Sequence, residues 1–210
     1  GWWNLIFLEI KDVNNINIKK RLLKRYWEYG YPQWNSRISL FAGSKNNLFC
    51  LSKFKNKWFL EQYKNCSFFK QYDLPFSSLS DLYAYQKKLI FTASNFDSEN
   101  TLIELDLHTE NNSLNLIKKN YQESRLFCIK PKSFWFTGFD GELTHAWIYE
   151  PINNIFKLPP LIVKAHGGPT SSFEGIFNQE VQFWVSKGWY VAEVNYAGSS
   201  GFGRDYSVAF

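Results

Sequence analysis

No methionine occurs in this chain, and only three histidines and three cysteines are spread over its 210 residues. Each scarcity excludes something. Cys50, Cys66 and Cys128 form no C-x-x-C pair. An odd, sparse set of this kind is not a disulfide framework and fits reduced thiols in the cytoplasm. There is no H-E-x-x-H and no clustered Cys/His, so neither a metal nor a cofactor is expected. No apolar run approaches the roughly 18 residues that span a bilayer. No charged-then-apolar leader with a small-residue cleavage site is visible, so no membrane association is expected. The chain opens on Gly1 and closes on Phe210, inside what reads as the start of a helix. A fragment of a longer protein is therefore expected, a processed mature chain being the alternative.

What the sequence does have is aromatic mass: 20 Phe, 12 Tyr and 9 Trp, in a chain that is 45% hydrophobic. That is enough for a core and too apolar for disorder. The net charge of +5 reads as a Lys-rich solvated surface. One basic cluster is interleaved with aromatics: Lys19-Lys20-Arg21 and Lys24-Arg25, beside Tyr26 and Trp27. Such a composition can bind phosphates and stack bases. No nucleic-acid-binding motif accompanies it, and no nucleic-acid partner is expected.

Short aromatic and aliphatic runs at 2–10, 38–42, 48–52, 57–63, 82–85, 89–93 and 101–107 read as strands separated by polar turns. Leu48 recurs as Leu89, 41 positions on, and Trp58 recurs as Leu102, 44 positions on. A period of this size built of short antiparallel strands suggests propeller blades; a β-sandwich with regular turns is the alternative. The character changes after Pro131. Trp135-Phe136-Thr137 and residues 143–149 read as strands joined at the turn Asp140-Gly141. Leu161-Ile162-Val163-Lys164-Ala165 reads as a buried strand. Phe177, Val181, Trp184 and Val185 fall on one helical face, ended by Gly188, and residues 189–194 form another strand. Residues 160–194 thus read as a βαβ unit with parallel strands.

His166-Gly167-Gly168-Pro169 stands directly after the first strand of that unit. Glycines let a backbone turn sharply and approach a ligand closely. In α/β-hydrolases one N–H of the oxyanion hole comes from a loop at this position. Downstream runs Asn195-Tyr196-Ala197-Gly198-Ser199-Ser200-Gly201-Phe202-Gly203-Arg204. With Pro160-Leu161, Thr170-Ser171, Gln182-Phe183-Trp184 and Gly188-Trp189, this stretch resembles the prolyl oligopeptidase family of serine peptidases. The likeness is closest to its acylaminoacyl-peptidase and dipeptidyl-aminopeptidase branch. Gly1-Trp2-Trp3-Asn4-Leu5 and Tyr31-Pro32-Gln33-Trp34 extend it more loosely upstream. The resemblance implies β-propeller blades followed by the N-terminal part of an α/β-hydrolase domain. Residues 1–130 would be the last blades and residues 131–210 the start of the catalytic domain, incomplete.

The resemblance further implies hydrolysis of short peptides through an acyl-enzyme, with His166, Gly167 and Gly168 lining the oxyanion and substrate side and the Gly168 N–H as the foremost donor. Two departures stand out. Ala197 occupies the place of a family arginine. The chain also contains no G-x-S-x-G nucleophile elbow. No catalytic residue is assigned; the Ser, Asp and His of the triad are expected beyond Phe210, and the chain alone is expected to be inactive. His108 reads as a solvated turn residue and His145 as a structural residue within a strand. The strand at 160–166 is expected to expose an apolar edge that favours aggregation. The resemblance says nothing of oligomeric state. Two rival functions remain: an esterase or lipase on the same hydrolase fold, and a non-catalytic propeller that binds a partner.

Overall fold

The computed structural model describes residues 3–12, 14–21, 26–31, 38–44, 46–108, 113–119, 128–153, 155–168 and 170–209. The first strands, β1 (Ile6–Asp12) and β2 (Asn15–Arg21), pair as a two-stranded antiparallel sheet. The basic segment Lys19-Lys20-Arg21 falls in β2; Lys24 and Arg25 lie outside the described residues. Of the run expected as a strand at 2–10, residue 2 lies outside the described residues, and Trp3 pairs elsewhere: its carbonyl accepts from the Tyr29 N–H at 2.8 Å.

Two four-stranded antiparallel meanders follow. The first consists of β3 (Phe41–Ser44), β4 (Asn47–Phe54), β5 (Lys57–Lys64) and β6 (Ser67–Tyr72), hydrogen-bonded in that order. The second consists of β7 (Ser78–Tyr85), β8 (Lys88–Asn95), β9 (Ser98–Asp106) and β10 (Leu114–Lys119), also in chain order. Two successive four-stranded meanders form a propeller-like β region. Its hairpins have local causes. Lys55 and Asn56 both take positive φ (46° and 59°), as do Asn65 and Cys66 (47° and 59°). Those are the backbone values of two-residue turns whose twist matches the flanking strands. Gly43 and Ser44, expected in a turn, instead complete β3 opposite Leu48 and Asn47.

Alternation then builds the core. Phe49, Leu51, Trp58 and Leu60 from the first meander meet Leu79, Leu89, Phe91, Ile103 and Leu105 from the second in one buried cluster. On the other side of β4 and β5, Cys50 and Tyr63 pack with Leu5 and Tyr29. The first meander is therefore buried on both faces. Removing one of these aliphatic side chains to alanine would cost about 2–5 kcal/mol.

The last sheet has another architecture. β11 (Lys132–Thr137) and β12 (Leu143–Tyr149) form an antiparallel hairpin, closed by a 3₁₀ turn at Phe139–Gly141. β13 (Leu161–Ala165), α1 (Gln179–Ser186) and β14 (Tyr190–Asn195) follow. The strand order is β11-β12-β14-β13, with β13 and β14 parallel and β12 antiparallel to β14. The expected strand–helix–strand unit is thus present, with α1 as its crossover. Asn178 caps α1 by accepting from the Val181 N–H at 3.2 Å. The helix ends at Lys187-Gly188, where the Trp189 N–H turns back to the Trp184 carbonyl at 3.2 Å. Val181 and Val185 pack on Tyr149 and Val191. Of the expected helical face, Phe177 lies two positions before α1 begins. Its N–H instead donates to Asn95 O at 2.8 Å, so it joins the sheet region rather than the helix. No helix among the described residues is long and apolar enough to cross a membrane.

Candidate active site

β13 and β14 are parallel and in register, with Ala165 opposite Val194. The residues that leave their carboxyl ends therefore come together. In open α/β sheets this is the crevice where ligands bind. His166 leaves β13; Tyr196 and Ser199 follow β14. The His166 ring lies on the Tyr196 ring, centroids 4.3 Å apart and planes 21° from parallel, with Phe173 edge-on at 5.7 Å.

The hydrogen bonds around this pair have a readable direction. The buried Ser199 Oγ–H donates to the Tyr196 carbonyl at 2.7 Å. Its lone pairs then accept from the His166 Nε2–H, also at 2.7 Å. His166 Nδ1 faces Gly167 O at 3.4 Å. Burial lowers the His166 pKa, the Gly167 carbonyl opposing the shift. A neutral imidazole whose Nε2 proton is engaged with Ser199 is not placed to act as a general base. Tyr196 Oη–H lies 2.8 Å from His166 O and 3.2 Å from Gly168 O.

Gly167 and Gly168 are exposed. Gly168 has φ +69°, and a Cβ built on either glycine would meet nothing within 4 Å. Neither amide donates to another described residue. His166, Gly167 and Gly168, the three residues singled out from sequence, thus form one open loop at the sheet's carboxyl edge. Ala197 is half-buried in the opposite loop.

The other histidines are elsewhere. His108 is exposed in a turn, its N–H bonded to Asp106 Oδ1 at 2.7 Å. His145 is buried in β12. Asn195 Nδ2 donates to its Nδ1 at 3.1 Å, and its Nε2–H reaches Ser133 Oγ at 3.0 Å. Burial, with Lys53 as a lesser cause, lowers its pKa to about 4. It is a neutral strut among Trp135, Trp147 and Phe202.

Sequence reasoning missed the polar join that holds this loop region against the propeller-like sheets. Lys53 Nζ lies 2.6 Å from Glu174 and 3.0 Å from Ser172 Oγ. Trp58 Nε1 and the Ser78 hydroxyl also donate to Glu174. Glu28 accepts from the Gly201 and Gly203 N–H groups at 2.7 and 3.1 Å. Burial raises its pKa, and those two amides and Lys53 partly offset the shift. Gly201 takes φ +90°, which L side chains rarely adopt, and a Cβ there would sit 2.7 Å from Lys53 Cε, so a side chain would be strained and would displace Lys53. The Phe173 carbonyl accepts from Asn56 Nδ2, Trp147 Nε1 and Asn195 Nδ2 at once. Only the glycines in Gly198-Ser199-Ser200-Gly201-Phe202-Gly203 signalled such close approach.

No family model matches the chain. It is 25% identical over 138 residues to the uncharacterized peptidase YuxL of Bacillus subtilis (strain 168), covering 65% of this chain and 20% of that protein. Among solved structures, a puromycin-hydrolyzing peptidase of Mycobacterium tuberculosis superposes with a TM-score of 0.83 at 22% identity, covering 99% of this chain and 33% of that one. A puromycin hydrolase gives 0.82 at 26% identity, covering 98% and 32%. The chain therefore spans about a third of the solved structures and a fifth of the curated relative.

Proposed function

We propose that this chain, which is similar to puromycin-hydrolysing and other peptidases and resembles the prolyl oligopeptidase family in its motifs, contributes the substrate-facing oxyanion loop of a serine peptidase acting on short peptides. In this reading residues 131–210 open an α/β-hydrolase domain and residues 1–130 are propeller blades that restrict access to it. The observation that carries the proposal is the open His166-Gly167-Gly168 loop, at the carboxyl end of a parallel strand that runs on through α1. In α/β-hydrolases the loop after the third strand supplies an oxyanion N–H, and a glycine loop leaving a parallel strand ahead of a helix supports reading this one in that role.

The chemistry follows from the geometry. A tetrahedral intermediate at a peptide carbonyl puts negative charge on its oxygen. The Gly168 N–H, with Gly167 beside it, would donate to that oxygen. Each such donor, held in place before the reaction, is worth roughly 3 kcal/mol of barrier. No side chain at either glycine blocks the approach. His166 serves by shaping the loop, not by moving a proton. The nucleophile, general base and its orienting carboxylate belong to sequence outside these 210 residues, in the order Ser, Asp, His. The setting is cytoplasmic, which the thiols of Cys50 and Cys66 suit.

A fluorophosphonate probe tests the reading. It should label a serine in the full-length protein, outside residues 1–210, and leave the isolated chain unlabelled. The full-length protein should also cleave peptide 4-nitroanilides, whatever its rate on matched esters. Labelling of a serine within the chain, or a full-length protein that turns over esters alone, would overturn it.

A further inference from the structure

We propose, resting on the peptidase reading above, that Tyr196 is a positioning residue whose hydroxyl sets the direction of the Gly167 and Gly168 N–H groups, with Ser199 locking the imidazole on which Tyr196 stacks.

The loop has little else to hold it. Two adjacent glycines are the most freely rotating pair a chain can contain. No described atom lies within 4 Å of a Cβ position on either of them, so packing does not fix their backbone. Two of its carbonyls, however, are turned to Tyr196. Tyr196 Oη holds His166 O at 2.8 Å and reaches Gly168 O at 3.2 Å, while Gly167 O faces His166 Nδ1 at 3.4 Å. A trans peptide is planar, and its N–H points opposite to its C=O. Holding His166 O toward Tyr196 therefore sends the Gly167 N–H away from the tyrosine. With the peptides before and after it restrained, the Gly167–Gly168 peptide between them is restrained too, and the Gly168 N–H with it.

Ser199 completes the device. Its hydroxyl hydrogen is committed to Tyr196 O at 2.7 Å, so it receives the His166 Nε2–H and keeps that ring flat against Tyr196. The loop is thus tied to the residues after β14 by a shared hydroxyl, a ring stack and a serine bridge. A donor already aimed at the developing oxyanion needs no reorientation during the reaction. Tyr196 makes that alignment without touching the substrate.

The test uses the full-length protein and compares wild type with Tyr196→Phe and Ser199→Ala. Tyr196→Phe keeps the stack and removes only the hydroxyl. Its kcat on a peptide 4-nitroanilide should fall about 10-fold, a fraction of what losing a whole oxyanion donor costs, with KM little changed. Affinity for a peptide boronic acid, whose tetrahedral adduct needs the same donors, should fall by a similar factor. Affinity for the cleaved peptide product should stay level. Ser199→Ala should show the same pattern more weakly. A merely structural role would lower boronate and product binding together, or leave kcat unchanged once the variant is shown to melt as wild type does. Either outcome overturns the assignment. A wild-type protein that cleaves no peptide and takes no fluorophosphonate refutes the peptidase reading and this proposal with it. An active wild type indistinguishable from Tyr196→Phe refutes this proposal alone.

Discussion

The two architectures in this chain bury their strands in opposite ways. The first meander, β3 to β6, has a buried cluster on each face: Phe49, Leu51, Trp58 and Leu60 on one side, Cys50 and Tyr63 on the other. The last sheet covers one face with Val181 and Val185 of α1, while Phe134, Leu161 and Val163 stay about half exposed or more on the other. The first region is held by apolar area. The second owes much of its placement to directed polar contacts, Lys53 with Glu174 and Glu28 with two backbone amides. Apolar burial is tolerant of detail, whereas buried charge fails sharply when one partner is lost.

The largest effect should come from the apolar side of this contrast. Phe91→Ala in the shared core is expected to cost about 3–5 kcal/mol, and Val185→Ala beneath α1 about 1–3 kcal/mol, both read from urea unfolding. If the polar join makes the two regions one cooperative unit, both changes move a single transition. Two separate transitions, each moved by one variant, would break the comparison.

Glu174→Gln attacks the join itself. Lys53, 5% exposed, would lose the carboxylate it is bonded to, at a cost of about 3 kcal/mol. Adding Lys53→Met should recover most of that loss. If the double variant is no more stable than the single one, the join does not depend on the ion pair.

Acid should loosen the same region through His145. Above pH 6.5 the residue is neutral in the folded and unfolded chain alike and adds no pH dependence. From pH 6.5 down to about 4 the unfolded chain takes up a proton that the buried ring refuses. Stability is therefore lost as the pH falls, at about 1.4 kcal/mol per unit. Glu28 and Glu193, whose pKa values burial raises, bind protons more readily when folded and act in the opposite sense. Subtracting the pH profile of His145→Gln from that of wild type isolates the histidine. The stability advantage of wild type should shrink by about 3 kcal/mol between pH 7 and pH 4. A constant difference would show that His145 is not held neutral by burial.

Two smaller changes sharpen the picture. Asn178→Ala removes the cap of α1 and should cost about 1 kcal/mol in a thermal melt. Val163→Lys on the edge strand β13 should leave stability within about 0.5 kcal/mol but reduce self-association of the chain on size exclusion. Unchanged association would place the sticky surface elsewhere.

How legible each part was in the sequence follows from the same contrast. β4, β5, β8 and β9 are legible as aromatic and aliphatic runs between polar turns because they carry the buried side chains of the core, as in Leu89, Phe91 and Ala93. β6 and β10 were not. Each is the last strand of its meander, and most of its side chains are exposed: Ser67, Phe68 and Phe69 in β6, Leu114 to Ile117 in β10. An edge strand with lysines and few buried side chains writes no periodic apolar signal. β2, with its Lys19-Lys20-Arg21, was likewise read as a charge cluster rather than a strand.

The site divides similarly. His166, Gly167 and Gly168 were visible because the loop is local and its residue types are distinctive. Tyr196 and Ser199 belonged to the same motif but had no assigned role, since their partners lie about thirty positions away. The register of β13 against β14 is the signal that could have joined them, because parallel neighbours deliver the residues after their ends to one place. Glu28 and Glu174 left no sequence trace at all. A carboxylate aimed at backbone amides more than 170 positions ahead looks like any other surface acid.

That separation also sets a clock. Glu28 and Gly203 are 175 positions apart. A ribosome adding 5–20 residues per second would deliver Gly203 roughly 10–35 s after Glu28. The meanders, whose hairpins join neighbouring strands through tight turns, have time to form in that interval. The carboxylate of Glu28 must meanwhile stay hydrated beside a half-made surface. Folding of this chain thus has an order written into its contacts, and the clasp at Gly201 and Gly203 is among the last to close.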